Sequence, residues 1–520
     1  MIKLNQTLAK DLAASVVVFL VALPLCLGIA LASGAPLFSG IVAGIAGGLV
    51  TGFLSGSQIS VSGPAAGLTV IVAGSITSLA NFQFFLVAVV LAGVFQLLFG
   101  VLKGGVVGNF FPNSVIKGML AAIGILLILK QLPHAFGYDK DIEGDEEFLQ
   151  ADGHNTFSEF LYVFDDFTIG CIIISLVTAS ILLLWETKAF KKSIFKDTPG
   201  PLIAVLAGTF VSFLLTYFDS PLKLESQHLV SLPISKNLSE FSKNFIFPDF
   251  INGLQNTQVW TVALTISIVA SLESLLSIEA TDKIDPQRRI SPLNKELFAQ
   301  GAGNIASGLV GGLPITAVIV RSSANVIAGA QTKVSAIAHG FLLFFSVLLI
   351  PSILNLIPLS TLAVVLIFTG YKLIKPSIFK EAFAKGTDSF IPFIVTIIAI
   401  IFSDLLKGIA VGMMVGVFFV LRNNIKIAIM ITSDGGNYYV RFIKDVTFFN
   451  KSYLRNFFRT IPKNSFLIID MTRPVFVDDD ILDVIDEFIL TAKTMNIRIE
   501  IKQDLHNNFN STKLAKLHHL

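Results

Sequence analysis

Apolar segments follow one another almost without pause from Leu12 to Leu421, and this pattern limits what the chain can fold into. About 20 apolar residues in helical conformation cross a bilayer, and the stretch holds roughly fourteen such segments. They fall at 12–32, 38–55, 66–80, 84–102, 114–132, 168–186, 200–218, 258–280, 298–313, 316–329, 335–352, 357–374, 389–404 and 407–421. Several are shorter than a full crossing. Only 14% of the 520 residues are charged, against about 25% in a soluble domain, and mean hydropathy is +0.75. Lipid has to be part of the solvent of such a chain. The predicted architecture is an all-α polytopic membrane domain over residues 1–425, a linker over 426–437 and a small cytoplasmic α/β domain over 438–520.

Charge gives the orientation. Lysine and arginine collect in cytoplasmic loops, and here they collect in the even-numbered connections. Lys103 follows span four, and Lys188, Lys191, Lys192 and Lys196 follow span six. Lys283, Arg288, Arg289 and Lys295 follow span eight, Lys333 follows span ten, and Lys372, Lys375 and Lys380 follow span twelve. Arg422 and Lys426 follow span fourteen, whereas the connection from Asp139 to Phe167 is acidic. Both termini are therefore expected in the cytoplasm. The polar Met1–Lys10 runs into the first span without a small-residue cleavage site, as an anchor does and a signal peptide does not. A bacterial inner membrane is the simplest location.

The sequence points away from an enzyme. It has no phosphate-binding glycine loop, nucleophile elbow or zinc-protease helix. The seven histidines lack ligand spacing, and Cys26 and Cys171 lie in apolar runs that argue against a disulfide. No metal and no organic cofactor is expected. A net charge of +2 gives no footing for nucleic acid.

Three features inside the spans carry chemistry. Gly44, Gly48, Gly52 and Gly56 repeat along span two, a bare face on which another helix packs closely. Two breaks then occupy matching places before spans three and ten: Ser60-Val61-Ser62-Gly63-Pro64-Ala65-Ala66-Gly67-Leu68-Thr69 and Gly311-Gly312-Leu313-Pro314-Ile315-Thr316-Ala317-Val318-Ile319. Proline is tolerated in a first helical turn, so each proline is expected to open a half-helix. Matched breaks in two halves point to a transporter site. Two facing half-helix N-termini hold an anion through free N–H groups and dipoles. The candidate donors are the N–H groups of Ala65, Ala66, Ala317 and Val318 and the hydroxyls of Thr69 and Thr316. The plainer alternative is that proline and glycine only bend these helices.

Glu273 lies deep in span eight, with Ser277 one turn on. A carboxylate there costs roughly 2.5–3.5 kcal/mol on insertion scales. It therefore faces a cavity or a partner, and it is a candidate to load and release a proton. The alternative is a neutral Glu273 tying helices together. Glu279 lies nearer the interface. Arg321, after the second break, either adds positive potential to the anion site or pairs with a carboxylate such as Glu273.

Together these residues resemble the sulfate permease (SulP) family. The resemblance runs through Asp11-Leu12, Ala22-Leu23-Pro24, Ser62-Gly63-Pro64 and, most specifically, the stretch 296–330. That stretch contains Gln300-Gly301-Ala302-Gly303-Asn304, Gly311-Gly312-Leu313-Pro314, Arg321-Ser322-Ser323-Ala324-Asn325 and Ala328-Gly329-Ala330. It implies a seven-plus-seven inverted repeat with core and gate domains, elevator-like movement and a homodimer. It also implies a small inorganic anion, sulfate or bicarbonate among others, held between spans three and ten. Sodium-coupled bicarbonate members resemble this chain around span eight but carry Asp and Thr where it has Glu273 and Ser277. They also carry Gly and Thr where Ala317 and Ile319 align. Ile319 brings no side-chain oxygen for sodium, so a proton on Glu273 is the expected coupling ion. Sodium coupling, an exchanger or channel, and a dicarboxylate carrier are the alternatives.

In the tail, residues 438–442, 447–449, 466–470 and 497–501 read as strands and 480–495 as an amphipathic helix. This resembles a STAS domain (sulfate transporter and anti-sigma factor antagonist), shortened at its end, which implies a cytoplasmic regulator as partner. Thr472 follows Asp470 where soluble STAS proteins carry a phosphorylated hydroxyl. An ordinary turn residue is the alternative.

Overall fold

The computed structural model describes residues 2–139, 148, 155–158, 163, 167–187, 200–232, 242–374 and 376–503. The lysines at 188–196, Lys375, most of the acidic connection and the end of the polar tail lie outside them. The chain divides into two units, Met1–Met413 and Met414–Leu520.

Each expected span has a helix. In order these are α1 (Ile2–Ala32), α2 (Leu37–Ala46), α3 (Thr69–Leu79), α4 (Phe82–Val101), α5 (Asn113–Phe136), α6 (Ile169–Glu186) and α7 (Gly200–Tyr217). The second set is α8 (Thr257–Ile284), α9 (Leu293–Leu309), α10 (Ile319–Ile327), α11 (Val334–Leu349), α12 (Leu359–Leu373), α13 (Thr387–Ile401) and α14 (Leu405–Ile427), the last of which carries the division between units. Among the described residues, nine helices are long and apolar enough to cross a membrane. Helices α5, α6 and α12 pack on one another and α13 on α5; α4, α8 and α9 pack on one another, and α1 packs on α2, α10 and α11.

The α9 boundary differs from the sequence pattern. Its helix starts at Leu293 rather than 298, because the polar turn around Glu296 is buried. The Glu296 carboxylate accepts from Ser55 Oγ at 2.9 Å and from the Gly56 and Ser57 N–H groups at 2.6 and 2.9 Å. A buried carboxyl is tolerated where donors converge on it.

The glycines of α2 bring backbones together. After Ala46 the helix widens into a π turn, Gly47–Thr51, and ends at Leu54. A Cβ on Gly48 would lie 2.6 Å from Gly340 Cα, and one on Gly47 would lie 2.4 Å from the Ser62 carbonyl oxygen. Backbone atoms do not yield as side-chain ends do. Gly48→Ala is expected to destabilise the folded protein by about 1–3 kcal/mol. Gly74→Ala, where nothing lies within 4 Å of the new carbon, should melt like wild type. Thermal melts of both variants in detergent check this; equal melting points would show that α2 and α11 tolerate separation.

The second unit is a small α/β domain. Its sheet has the order β3 (Ile429–Asp434), β4 (Asn437–Phe442), β5 (Phe466–Met471), β6 (Arg498–Gln503). The β3–β4 pair is antiparallel and the other two pairs are parallel. Helices α15 (Lys451–Phe458) and α16 (Asp479–Thr494) share one core with Val440, Phe442, Leu467, Ile469 and Met471. Two corrections arise here. Residues 426–437, a linker by composition, contain β3 and the end of α14. Residues 447–449, a strand by pattern, mostly form a 3-10 turn, because Thr447 and Asn450 make a reciprocal capping box that starts α15.

Candidate functional site

The two breaks meet as crossed strands. β1 (Ser62–Pro64) pairs antiparallel with β2 (Ile315–Ala317), with Gly63 opposite Thr316. Both strands are fully buried. The prolines therefore end one strand and precede the other, and neither opens a helix. α3 and α10 begin at Thr69 and Ile319, each five positions after its proline. The residue before a proline is held extended, and β-branched Ile315, Thr316 and Val318 favour the strand.

This corrects the donor set. The Ala317 N–H donates to Ser274 Oγ at 3.2 Å, and the Val318 N–H donates to the Val61 carbonyl at 2.9 Å. Neither remains for a ligand, and the free donors move down the chain. A helix leaves its first N–H groups without intrahelical partners. Before α3 these are Ala66 and Gly67 of the 3-10 turn Ala66–Leu68, which follows the extended Ala65; in α10 they begin at Ile319. Thr69 Oγ is buried with no hydrogen-bond partner, whereas the Thr316 hydroxyl turns back on the Ala317 carbonyl at 3.2 Å.

Two charged side chains reach this crossing from opposite elements. Glu273, on α8, is 5% exposed, and a Cβ on Gly67 would lie 3.0 Å from its Oε1. Its carboxylate thus sits against the first turn before α3. Arg321, on α10, is fully buried, and a Cβ on Gly63 would lie 2.0 Å from its Nη1. Its Nη2 reaches Cys26 Sγ at 3.3 Å and the Pro64 carbonyl at 3.4 Å; Nε and Nη1 have no hydrogen-bond partner. Gly63 and Gly67 lack side chains because these two groups occupy the space. Ser277 is buried on α8, and its carbonyl accepts the Thr281 hydroxyl.

A polar scaffold holds the strands; Gln300, Asn304 and Ser322 lie in the family stretch, whereas Gln96 and Ser271 were not singled out in the sequence. Asn304 brackets Ile315, accepting from its N–H at 2.7 Å and donating to its carbonyl at 3.0 Å. It also donates to Gln96 Oε1 at 2.7 Å, and Gln96 donates to Ser271 Oγ at 3.3 Å. Gln300 donates to Ser62 Oγ at 2.8 Å, and Ser322 Oγ accepts from the Val61 N–H at 3.0 Å. The signal was available: amide side chains inside apolar helices act as interhelical glue.

Residues 8–398 match the sulfate permease family. The chain belongs to that family. Its members are transporters, not enzymes, and this chain is a multi-pass integral membrane protein. The chain is 28% identical over 418 residues to YvdB of Bacillus subtilis, whose description as a sulfate transporter is provisional, covering 80% of this chain and 74% of YvdB. It is 26% identical over 421 residues to the bicarbonate transporter BicA of Picosynechococcus, covering 79% and 69%. In fold it is similar to the transmembrane domain of a cyanobacterial BicA, at a TM-score of 0.53 and 22% identity over 78% of this chain and 97% of that one. It is also similar to SLC26A9, at a TM-score of 0.67 and 15% identity over 98% and 86%.

Thr472 sits on the turn after β5. Its N–H and hydroxyl donate to Asp470 Oδ1 at 3.1 and 2.6 Å, while Tyr439 donates to Oδ2 and Arg441 lies 3.3 Å from it. Burial pushes the Asp470 carboxyl up, but these partners outweigh it and hold it below the usual carboxylate range. A phosphate on Thr472 would meet that carboxylate, which favours the plain turn role. Because the folded value is depressed, its stabilisation is present above the ordinary range, about pH 3.9, and is lost as pH falls through the folded value. Thr472→Val is expected to cost about 1 kcal/mol near neutrality. The deficit should shrink in acid, read as amide exchange of β5 in the whole protein. A deficit independent of pH would show that the hydroxyl acts apart from the carboxylate.

Proposed function

We propose that this protein is a proton-coupled secondary transporter of small inorganic anions, sulfate or bicarbonate, and that the anion binds where the turns before α3 and α10 start. The observation that carries this is the Glu273 carboxylate packed on Gly67 at one of those starts. An ionised carboxylate there repels an incoming anion; a protonated one donates a hydrogen bond to it. Anion and proton therefore favour each other's binding, which is the requirement for symport. Arg321 and the dipoles of the half-helices supply the attraction, and the Thr69 hydroxyl is free to donate.

The remaining assignments rest on what the family implies and on the charge pattern of the connections. Helices α1–α4 and α8–α11 move as a carrier against α5–α7 and α12–α14 in an elevator-like step, within a homodimer. Both termini lie in the cytoplasm of a bacterial cell, where the α/β domain meets a regulator. The test is radiolabelled sulfate and bicarbonate uptake into proteoliposomes with and without an inward proton gradient. Accumulation that needs the gradient supports the proposal. Equilibration that ignores it favours a channel or exchanger, and sodium stimulation at fixed pH sinks proton coupling.

A further inference from the structure

One end of the α/β domain displays large apolar side chains that its own core does not use. Phe448, Phe449, Val475 and Phe476 are 51%, 50%, 79% and 53% exposed, and none belongs to the core that α15 and α16 share with the sheet. The two loops that carry them are firmly built. Val446 and Val477 form a parallel bridge, in which the Val446 N–H donates to the Phe476 carbonyl at 3.2 Å and the Asp478 N–H to the Val446 carbonyl at 2.9 Å. Asp445 Oδ1 accepts from the Val475 and Phe476 N–H groups at 2.8 and 2.9 Å, and Asp478 Oδ2 accepts from the Phe448 N–H at 3.2 Å. The rings of Phe448 and Phe449 stack with centroids 4.1 Å apart. Polar groups thus bond within the loops while apolar ones face outward, the mark of a surface made to be covered.

The sheet topology fixes where this end lies. β4, β5 and β6 run parallel, so the connections 443–450 and 472–478 leave from the same end, each just before a helix that crosses back to the next strand. β3 runs the other way and starts at that end, with Ile429 opposite Phe442. α14 finishes at Ile427, and its last part, from Met414, belongs to the same unit as the sheet. The apolar run of α14 closes at Leu421, and the helix left between that residue and Ile427 rises at most about 9 Å. A headgroup layer is roughly 5–8 Å deep on each face of a bilayer. The end of the sheet that carries the four apolar side chains is therefore held at the surface of the bilayer that α14 crosses, and that surface is the cover nearest to them.

We propose that Phe448, Phe449, Val475 and Phe476 seat this end of the α/β domain in the headgroup layer of the bilayer. Phenyl and aliphatic side chains on one face are what an element lying in that layer buries. Charge adds little. Lys444 and Arg473 flank the four side chains, but so do Asp445 and Asp479, and all four of these charged residues are exposed. Attraction to an anionic leaflet grows with excess Lys and Arg, so the contact depends on apolar insertion and holds on neutral lipid. It is independent of which anion the protein carries and of how transport is coupled.

The test measures what each side chain touches. Full-length protein in nanodiscs of neutral phosphatidylcholine carries a nitroxide on Phe476→Cys or, in a second preparation, on Phe448→Cys. Both positions lie outside the core, so the substitutions leave the fold intact, and the native Cys26 and Cys171 are buried away from the label. Leu490→Cys is the control: Leu490 is 67% exposed on α16, which runs away from this end of the sheet. Collisions are compared with molecular oxygen, which concentrates in lipid, and with a nickel chelate, which stays in water. The ratio of oxygen to nickel collisions should be several-fold higher at Phe476 and Phe448 than at Leu490. Nickel access equal to that at Leu490 overturns the proposal. So does shielding from both reagents, which would mean that protein covers this end, a second copy being recognised by spin–spin broadening between labels.

Discussion

Glu273→Gln is expected to abolish proton-driven accumulation of monovalent anion while leaving exchange across the membrane measurable. Glutamine keeps the shape and a hydrogen-bond donor against Gly67 but cannot cycle a proton. Each unit of pH difference is worth about 1.36 kcal/mol, about tenfold in accumulation when one proton moves with each anion. In the variant that factor should fall to about one for bicarbonate. Binding should also become less sensitive to pH, since the amide mimics the protonated acid at every pH. Flux against pH in proteoliposomes, at fixed gradient, reads both effects. A variant that accumulates bicarbonate as wild type does would make Glu273 a structural link between α8 and the turn before α3.

Arg321→Met is expected to separate binding from stability. The guanidinium is fully buried, and Nε and Nη1 have no hydrogen-bond partner. Its other contacts, a thiol at 3.3 Å and a carbonyl at 3.4 Å, are weak compensation for an ion out of water. Replacing a poorly compensated buried charge with an apolar side chain of similar volume is commonly neutral or stabilising by about 1–4 kcal/mol. The Met variant should therefore melt at or above the wild-type temperature. It should lose at least about 1.5–3 kcal/mol of anion affinity, roughly 10- to 100-fold, as a charge-assisted bond is removed. Melting curves and sulfate binding on the same preparation check this. A variant that melts lower but binds normally would assign Arg321 to packing, and the anion's attraction would then come from the half-helix dipoles alone.

Much of the fold was legible because lipid imposes a simple rule: apolar stretches become helices there, since nothing else satisfies the backbone. The two breaks were legible as well, because proline and glycine at matched places interrupt that rule. The boundaries that failed are those where polar residues are buried by partners from afar. Glu296 and its neighbours read as a loop because Ser55, Gly56 and Ser57, its donors, lie some 240 positions away in the chain. α15 was hidden for a different, local reason: the capping box between Thr447 and Asn450, three positions apart, outweighed a run of β-favouring residues.

The sequence by itself determined the membrane class, the place of the helices and the family, and it singled out Glu273, Arg321 and the two breaks as candidates for the chemical centre. These are properties of single segments, written in hydrophobicity and in backbone-breaking residues. Only the tertiary structure decided which N–H groups remain free. Pairing β1 with β2 uses Val318, Ser274 takes Ala317, and the open donors shift to Ala66, Gly67 and Ile319. The structure alone also set the carboxylate of Glu273 against Gly67. Such juxtapositions depend on side chains from distant segments meeting in one small space, and no local pattern records where a distant partner arrives.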